Sequence, residues 1–533
     1  MPPPASAGAG GGNVTGYEIR YAKVPIDATN FDDTTVTTTV TYGGVPSVAG
    51  QPDGIAVDNL YIENGYYFAV EAVDGAGNRS AITASPSTGT CTCATQCCAA
   101  HFNVSLISSP SGTNQSFGSA MDGSLDVNGD GASDLLVGTS NDTHAYLFFG
   151  GPGFAPSAPS VVFSGANTGF GSTVAQIGDI DGDGLEDIAI ADRPTGIRVL
   201  IYKGRLNWPM TLTDAQADYV ISGDPTYAGS QFGYTIDRLG DFNGDGVADF
   251  AIGAPLYSAR KGHVAVVYGS TTFTSFTVPD TTRALEIGAD PTLTRTQLGI
   301  GMLGLGHFYS VTTGTTLVVS APGLGVPPSD NAGRLYAFHG RGAGAPIDVT
   351  AADHVLVGPA AGALIGGFLT NLGPATGALA SVGSANLSDA VSVPGTTGTG
   401  FVLSGAAATG PFTSKVILYK SGTNLAGQAL FGGGFSGLDI FVSLVGDSKV
   451  DVALSGRQNS TLDIIDGAKL SALTSPINTT NSANVHVPMP SGWTSTADGS
   501  RALIKDINGD GFPDFALGDV VVGSSPGRVA VFW

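Results

Sequence analysis

Charge is scarce in this chain of 533 residues: Asp, Glu, Lys and Arg make up 12% of it, about half the share in ordinary soluble proteins. Its surface must be made largely of Ser, Thr, Asn and Gly, a style that suits an extracellular protein. Positive charge is scarcer still, with 22 Lys and Arg against 44 Asp and Glu and a net charge of −22. No basic patch is available to replace counterions on phosphate, which excludes nucleic acid as a partner. Apolar runs long enough to span a membrane are absent. Met1 is followed by three prolines and a Gly/Ala stretch, which lacks the basic start and apolar core of a signal peptide. The expectation is export by another route, or a chain that is a piece of a longer one. Disorder is excluded by a hydrophobic share of 42%.

Cysteine is confined to Cys91, Cys93, Cys97 and Cys98. A zinc knot is the alternative, but no His sits at ligand spacing, and zinc sites prefer C-x₂₋₄-C pairs in a structured knuckle. Two local disulfides in an oxidising compartment account for the cluster better, with the pairing open.

What the chain has instead is a repeated acidic loop. Asp179, Asp181, Asp183 and Asp187 stand at positions 1, 3, 5 and 9 of a loop with Gly184 at position 6, and Ile-Ala-Ile follows. Carboxylates at that spacing around a sharp turn can wrap oxygens about one hard cation, and calcium is the natural guest. The spacing resembles the first part of an EF-hand loop, but a buried strand follows rather than a helix. The pattern recurs as Asp126, Asn128, Asp130 and Asp134, as Asp241, Asn243, Asp245 and Asp249, and as Asp506, Asn508, Asp510 and Asp514. The bland reading of any one copy is an acidic turn without metal; four copies in one strand context argue for four Ca²⁺ sites.

Other strand signals repeat with them. Phe117-Gly118, Phe170-Gly171, Phe232-Gly233 and, more weakly, Leu298-Gly299 open strands. Alternating apolar strands ending near Gly recur seven times, at 145–149, 198–202, 263–268, 334–338, 415–419, 461–465 and 528–532. Strands in groups of four, without helical periodicity, predict an all-β chain with a β-propeller of seven blades over residues 101–533. The sequence here resembles the FG-GAP propeller of integrin α-subunits and its bacterial relatives, most fully in Phe232-Gly233, Asp241 to Asp249 and Ile252-Gly253-Ala254-Pro255. Blades one, two, three and seven carry the acids. Blade four has Gly304-Leu-Gly-His307 in their place, blade five has no loop, and blade six keeps only Asp447 and Asp451. Residues 102–107 are expected to pair with the strand at 528–532 and close the ring.

Residues 1–84 resemble part of a fibronectin type III domain, through Gly16 to Tyr21 and Leu60 to Ser80, with Tyr66 at the tyrosine corner. The first two strands of that family have no counterpart, so the expectation is an incomplete sandwich, followed by a Cys-containing linker over 85–100.

By resemblance, the function implied is adhesion outside the cell: binding of a protein or glycan ligand on the face opposite the metal loops. Arg193, Tyr257, Arg260 and Lys261 are the candidate ligand contacts, weighed against ordinary solvated loop charges. The rival classes are a propeller-based hydrolase or lyase, and a purely structural module of a larger surface protein. No catalytic set supports an enzyme. Gly523-Ser-Ser525-Pro-Gly527 and Gly299-Ile-Gly301-Met-Leu-Gly304 match nucleophile-elbow and dinucleotide patterns but precede strands, not helices. The seven histidines are scattered. The oligomeric state cannot be read from the sequence.

Overall fold

The computed structural model describes residues 14–22, 25–34, 36–40, 65–76, 78–84, 88–89, 104–110, 112, 116–193, 197–304, 314–323 and 333–357. Beyond these it describes the strands between 369 and 532 named below, together with 506–509 and 527. The expected strand at 53–57, the side chain of Tyr66, the four cysteines, Asp447 and Asp510 lie outside the described residues. The chain divides into two units, Met1–Ala100 and His101–Trp533, and is built of strands. Among the described residues no helix is long and apolar enough to cross a membrane.

Among the described residues the strands of the first unit form one sheet. Val14–Ala22 pairs antiparallel with Gly65–Asp74 and with Thr38–Val40, and Thr83–Ala84 and Thr88–Gly89 add to the far side. The alternation of Gly16-Tyr-Glu-Ile-Arg-Tyr21 fits this pleat. Asp74 turns the chain after the long strand: its Oδ1 accepts from Ala76 and Asn78 N–H groups, both at 2.9 Å. Ala22, Ile26, Phe31 and Ala69 form a small core.

The second unit repeats one antiparallel meander. Phe117–Asp122, Leu135–Thr139, His144–Phe148 and Val161–Ser164 make the meander of the first sheet; Phe170–Gly178, Asp187–Asp192, Arg198–Tyr202 and Tyr219–Gly223 that of the second; Thr235–Gly240, Asp249–Gly253, His263–Val267 and Ala284–Gly288 that of the third; Met302–Gly304, Thr316–Ala321, Arg334–His339 and His354–Val357 that of the fourth. Thr211–Thr213, Phe276–Val278 and Ile347–Asp348 each add a parallel fifth strand to the outer edge of the first, second and third sheets. Next come two hairpins, Leu369–Ala375 with Leu379–Ser384 and Thr399–Gly405 with Ser414–Lys420. A four-stranded sheet follows, of Phe435–Val442, Val450–Gly456, Thr461–Ile465 and Val485–Pro488. The last sheet joins both ends of the unit: Arg501–Ile504, Asp514–Asp519 and Arg528–Phe532 take Val104–Ser108 as their fourth strand, with Val529 opposite Ile107. This is the pairing that the strand pattern led us to expect.

Why the second and third strands read as near-continuous apolar runs is now plain. The second strand is wholly buried in the first four sheets and in the last, and the first three sheets are covered on both faces. One face of the second sheet (Ile188, Ile190, Leu200, Tyr202) packs on Leu136, Ala145 and Leu147 of the first. Its other face (Ala189, Ala191, Val199, Ile201) packs on Phe250, Ile252, Ala265 and Val267 of the third. The third packs in turn on Leu317, Val319, Tyr336 and Phe338 of the fourth, and the last packs on the first. The sheets therefore stack face to face in chain order, last on first, through the fourth.

The Phe-Gly starts have a steric reason. Gly118, Gly171, Gly233 and Gly299 all sit at φ between 82° and 85°, where a Cβ is penalised. A Cβ on Gly171 would also lie 2.5 Å from the His144 carbonyl of the preceding sheet.

Candidate metal centre

Each acidic loop connects the first strand of a sheet to the second, and its fold follows from its first carboxylate. Asp126 Oδ1 accepts from Gly129 and Asp130 N–H at 2.7 and 3.2 Å, and Oδ2 from Gly131 N–H at 2.7 Å. Asp179 does the same with Gly182, Asp183 and Gly184, and Asp241 with Gly244, Asp245 and Gly246. In the last loop Asp506 Oδ1 accepts from Gly509 at 2.7 Å. The residue at position 6 has φ of 91° or 92° in the first three loops, so Gly there is a conformational requirement.

The ninth carboxylate has a second task that spacing did not reveal. Asp134, Asp187 and Asp249 are fully buried. Oδ2 of each accepts from the second loop residue, Val127, Ile180 or Phe242, at 2.8–3.0 Å. Oδ1 accepts from the glycine that ends the third strand, Gly150, Gly204 or Gly269, at 2.8–3.0 Å. Asp514 Oδ2 accepts from Ile507 in the same way, at 2.6 Å. The apolar second residue is itself buried, and its carbonyl reaches the next sheet: Ile507 O accepts from Gly151 N–H, Val127 O from Arg205 and Ile180 O from Ser270, at 2.7, 3.1 and 2.8 Å. Each of these loops thus ties its own sheet to its neighbour. Burial pushes the Asp134, Asp187 and Asp249 carboxyls up to about 7 against the pull of those N–H groups. A cation at the loop would favour their ionised form.

In the second loop, one carboxylate oxygen from each of Asp179, Asp181 and Asp187 lies within 4.8 Å of the others. Such a set, made of hard oxygen donors alone, suits a hard divalent cation. This loop also differs from its neighbours. Asn128 and Asn243 each donate Nδ2–H to the fifth-position carboxylate, Asp130 or Asp245, at 2.9 Å. Asp181 has no such donor to give. Instead Lys203 Nζ lies 2.6 Å from Asp181 Oδ2 and 2.8 Å from Asp183 Oδ2, and the Tyr219 hydroxyl donates to Asp181 Oδ2 at 2.9 Å. The two carboxylates hold the Lys203 ammonium above its ordinary range.

The candidate ligand residues are partly brought together. Tyr257, Arg260 and Lys261 share the connection between Asp249–Gly253 and His263–Val267. There Lys261 Nζ donates to the Pro291 carbonyl at 2.9 Å and Arg260 is exposed. Arg193 is committed elsewhere: its guanidinium stacks 4.9 Å from the Tyr234 ring centroid and its Nε donates to Thr173 Oγ1 at 3.3 Å. Burial pushes its pKa down. Beneath Tyr257 lies a group the sequence reading missed. Tyr257 packs on Tyr227 and His263, with ring centroids at 4.7 and 4.9 Å. The buried Glu286 Oε2 accepts from Tyr227 OH at 2.8 Å and lies 2.5 Å from His263 Nε2. A lone acid in the apolar strand Ala284–Gly288 was the available signal.

Two family models match the residues that carry these loops: an FG-GAP-like repeat over residues 126–190 and an FG-GAP repeat over residues 232–267. The chain carries FG-GAP repeats. It is also similar to integrin α chains. It is 34% identical over 143 residues to integrin alpha-4 of Xenopus laevis, covering 25% of this chain and 14% of that protein. With integrin alpha-PS3 of Drosophila melanogaster it shares 32% over 140 residues, 24% of this chain and 13% of that one. With integrin alpha-IIb of Homo sapiens it shares 34% over 155 residues, 26% and 14%. The match spans about one seventh of each relative's length. Among solved structures, a chain described as BBS1N in complex with ARL6DN aligns over 80% of this chain and 96% of its own at 11% identity, with a TM-score of 0.41, too loose a superposition to define the architecture.

Proposed function

We propose that residues 101–533 form a seven-bladed FG-GAP β-propeller that binds calcium and acts outside the cell in adhesion, holding a protein or glycan ligand, with a partial fibronectin type III-like domain before it. The observation that carries this reading is the loop built alike in the first three sheets, in the stretches that match the FG-GAP models. Four ions would sit at Asp126, Asn128, Asp130 and Asp134; at Asp179, Asp181, Asp183 and Asp187; at Asp241, Asn243, Asp245 and Asp249; and at Asp506, Asn508, Asp510 and Asp514. The face-to-face order of the sheets and the pairing of Val104–Ser108 with Arg528–Phe532 support a closed ring.

The role of the ions is structural. Each would neutralise like charges in a loop that cross-ties two sheets, and so stiffen the surface on which a ligand is held. Extracellular calcium modules bind at roughly 10⁻⁴ to 10⁻³ M, which suits filling outside a cell. The carboxylates are occupied by loop folding, and the chain is proposed to be a binding protein, not an enzyme. The ligand face is assigned to the connection bearing Tyr257, Arg260 and Lys261.

Thermal unfolding with EDTA and with millimolar calcium, alongside a metal count, tests the first half. About four ions and a raised melting temperature are expected; no metal and no shift would end the calcium reading. Binding to a glycan array and to immobilised extracellular-matrix protein tests the second half. Arg260→Ala with Lys261→Ala should abolish any calcium-dependent binding, and binding unchanged in that variant would remove this face from the proposal.

A further inference from the structure

The second loop holds the most carboxylates, and it is the loop with an ammonium seated on them. In the first and third loops the fifth-position carboxylate takes its hydrogen bond from an asparagine of the same loop, at 2.9 Å. In the second that asparagine is Asp181, and the donor is Lys203, from the end of the third strand. The residues standing where Lys203 stands, before the glycine that meets the ninth carboxylate, are Phe149 in the first sheet and Tyr268 in the third. Acid at position 3 and lysine before the glycine therefore occur together here, while an amide and an aromatic ring occur together in the other two. The side chain of Asp181 is 4% exposed and that of Lys203 30% exposed. Unpaired, the fourth charge would be buried against three others.

We infer that Lys203 is a tethered counter-ion, which holds the second loop closed without metal and competes with a divalent cation for Asp181 and Asp183. The inference rests on the calcium reading for its second part only. Its consequence runs against simple charge counting: the loop with four carboxylates binds calcium more weakly than the two with three. Loop two keeps its cross-tie to the third sheet, Ile180 O to Ser270 N–H at 2.8 Å, at low calcium.

The test uses the full chain and four forms of it: the parent, Lys203→Met, Lys203→Arg and Lys203→Met with Asp181→Asn. Melting is followed in EDTA, and calcium is titrated calorimetrically. In EDTA, Lys203→Met should lower the melting temperature by roughly 2 °C; Lys203→Arg and the double variant should restore it. On titration, Lys203→Met should convert one weak site into one roughly tenfold tighter. A melting temperature in EDTA unchanged by Lys203→Met overturns the counter-ion, and an unchanged calcium isotherm overturns the competition. If no form binds calcium, the calcium reading and the competition fail together, while the EDTA comparison still decides the counter-ion.

Discussion

The third and fourth sheets of residues 101–533 share the order and register of their first three strands and a common core, and they part at the buried residue that opens the second strand. Phe250 opposite Val267 in the third sheet and Leu317 opposite Phe338 in the fourth place Asp249 and Thr316 at equivalent points. Both are fully buried. Asp249 accepts from Phe242, Asn243 and Gly269 N–H groups at 2.8, 3.1 and 2.8 Å; Thr316 Oγ1 has His339 Nδ1 at 3.4 Å. Where the acids are absent from the connection, the buried acid is absent too. The ninth carboxylate thus belongs to the loop rather than to the sheet, and the meander packs without it.

The largest effect should come from removing it. Asp249→Ala leaves three N–H groups without an acceptor and should cost about 3 kcal/mol or more, whereas Thr316→Ala should cost about 1 kcal/mol; chemical denaturation of both variants checks the ratio. Equal losses would mean that the two positions are interchangeable packing sites.

A smaller effect separates two uses of glycine. Gly246 in the third loop has φ of 92° with open space around a would-be Cβ, whereas Gly314 has φ of 72° and a Cβ on it would in addition lie 2.2 Å from the Phe242 carbonyl of that same loop. Gly246→Ala should cost about 1–2 kcal/mol through its backbone conformation and weaken calcium at that loop alone. Gly314→Ala should cost more and loosen the contact between sheets. Melting curves in EDTA and in calcium distinguish them, because only the first variant's loss should depend on calcium.

The smallest effect lies where the two sheets meet. Asp237 Oδ2 accepts from Gly304 N–H at 2.7 Å, and burial raises its carboxyl to about 7 against that bond. A folded-state value above the unfolded one, near 4, means the folded form favours the proton. The stabilisation is complete below about pH 4 and is lost as pH rises through about 7. Asp237→Asn keeps an acceptor and cannot ionise. It should be more stable than the parent at pH 8 by on the order of 1 kcal/mol, the half-buried position discounting the full shift, and equal to it near pH 4. A constant difference across that range would show that Asp237 does not titrate with folding.

What the sequence made legible was local. Position 1 carboxylates and the position 6 glycines of the first three loops act within a few residues, and the apolar third strands follow them as the pattern placed them. Pairing of Val104–Ser108 with Arg528–Phe532 was readable because one group of strands lacked a member. The rest is contact between distant residues. Nothing near Asp187 announces that it meets Gly204, nor that Lys203 meets Asp181. Arg193 looked like a surface cation until Tyr234, from the next sheet, was found stacked on it. Gly304-Leu-Gly-His307 announced only that acids were missing, not that Thr316 would take the buried place.

The most direct test of the account is a count of calcium ions on the full chain beside one in which Asp126, Asp179, Asp241 and Asp506 are each replaced by Ala. The account expects about four ions on the parent at millimolar calcium and none on the variant, with the parent melting higher in calcium than in EDTA. A parent without bound calcium, or a variant that binds as many ions as the parent, would contradict it.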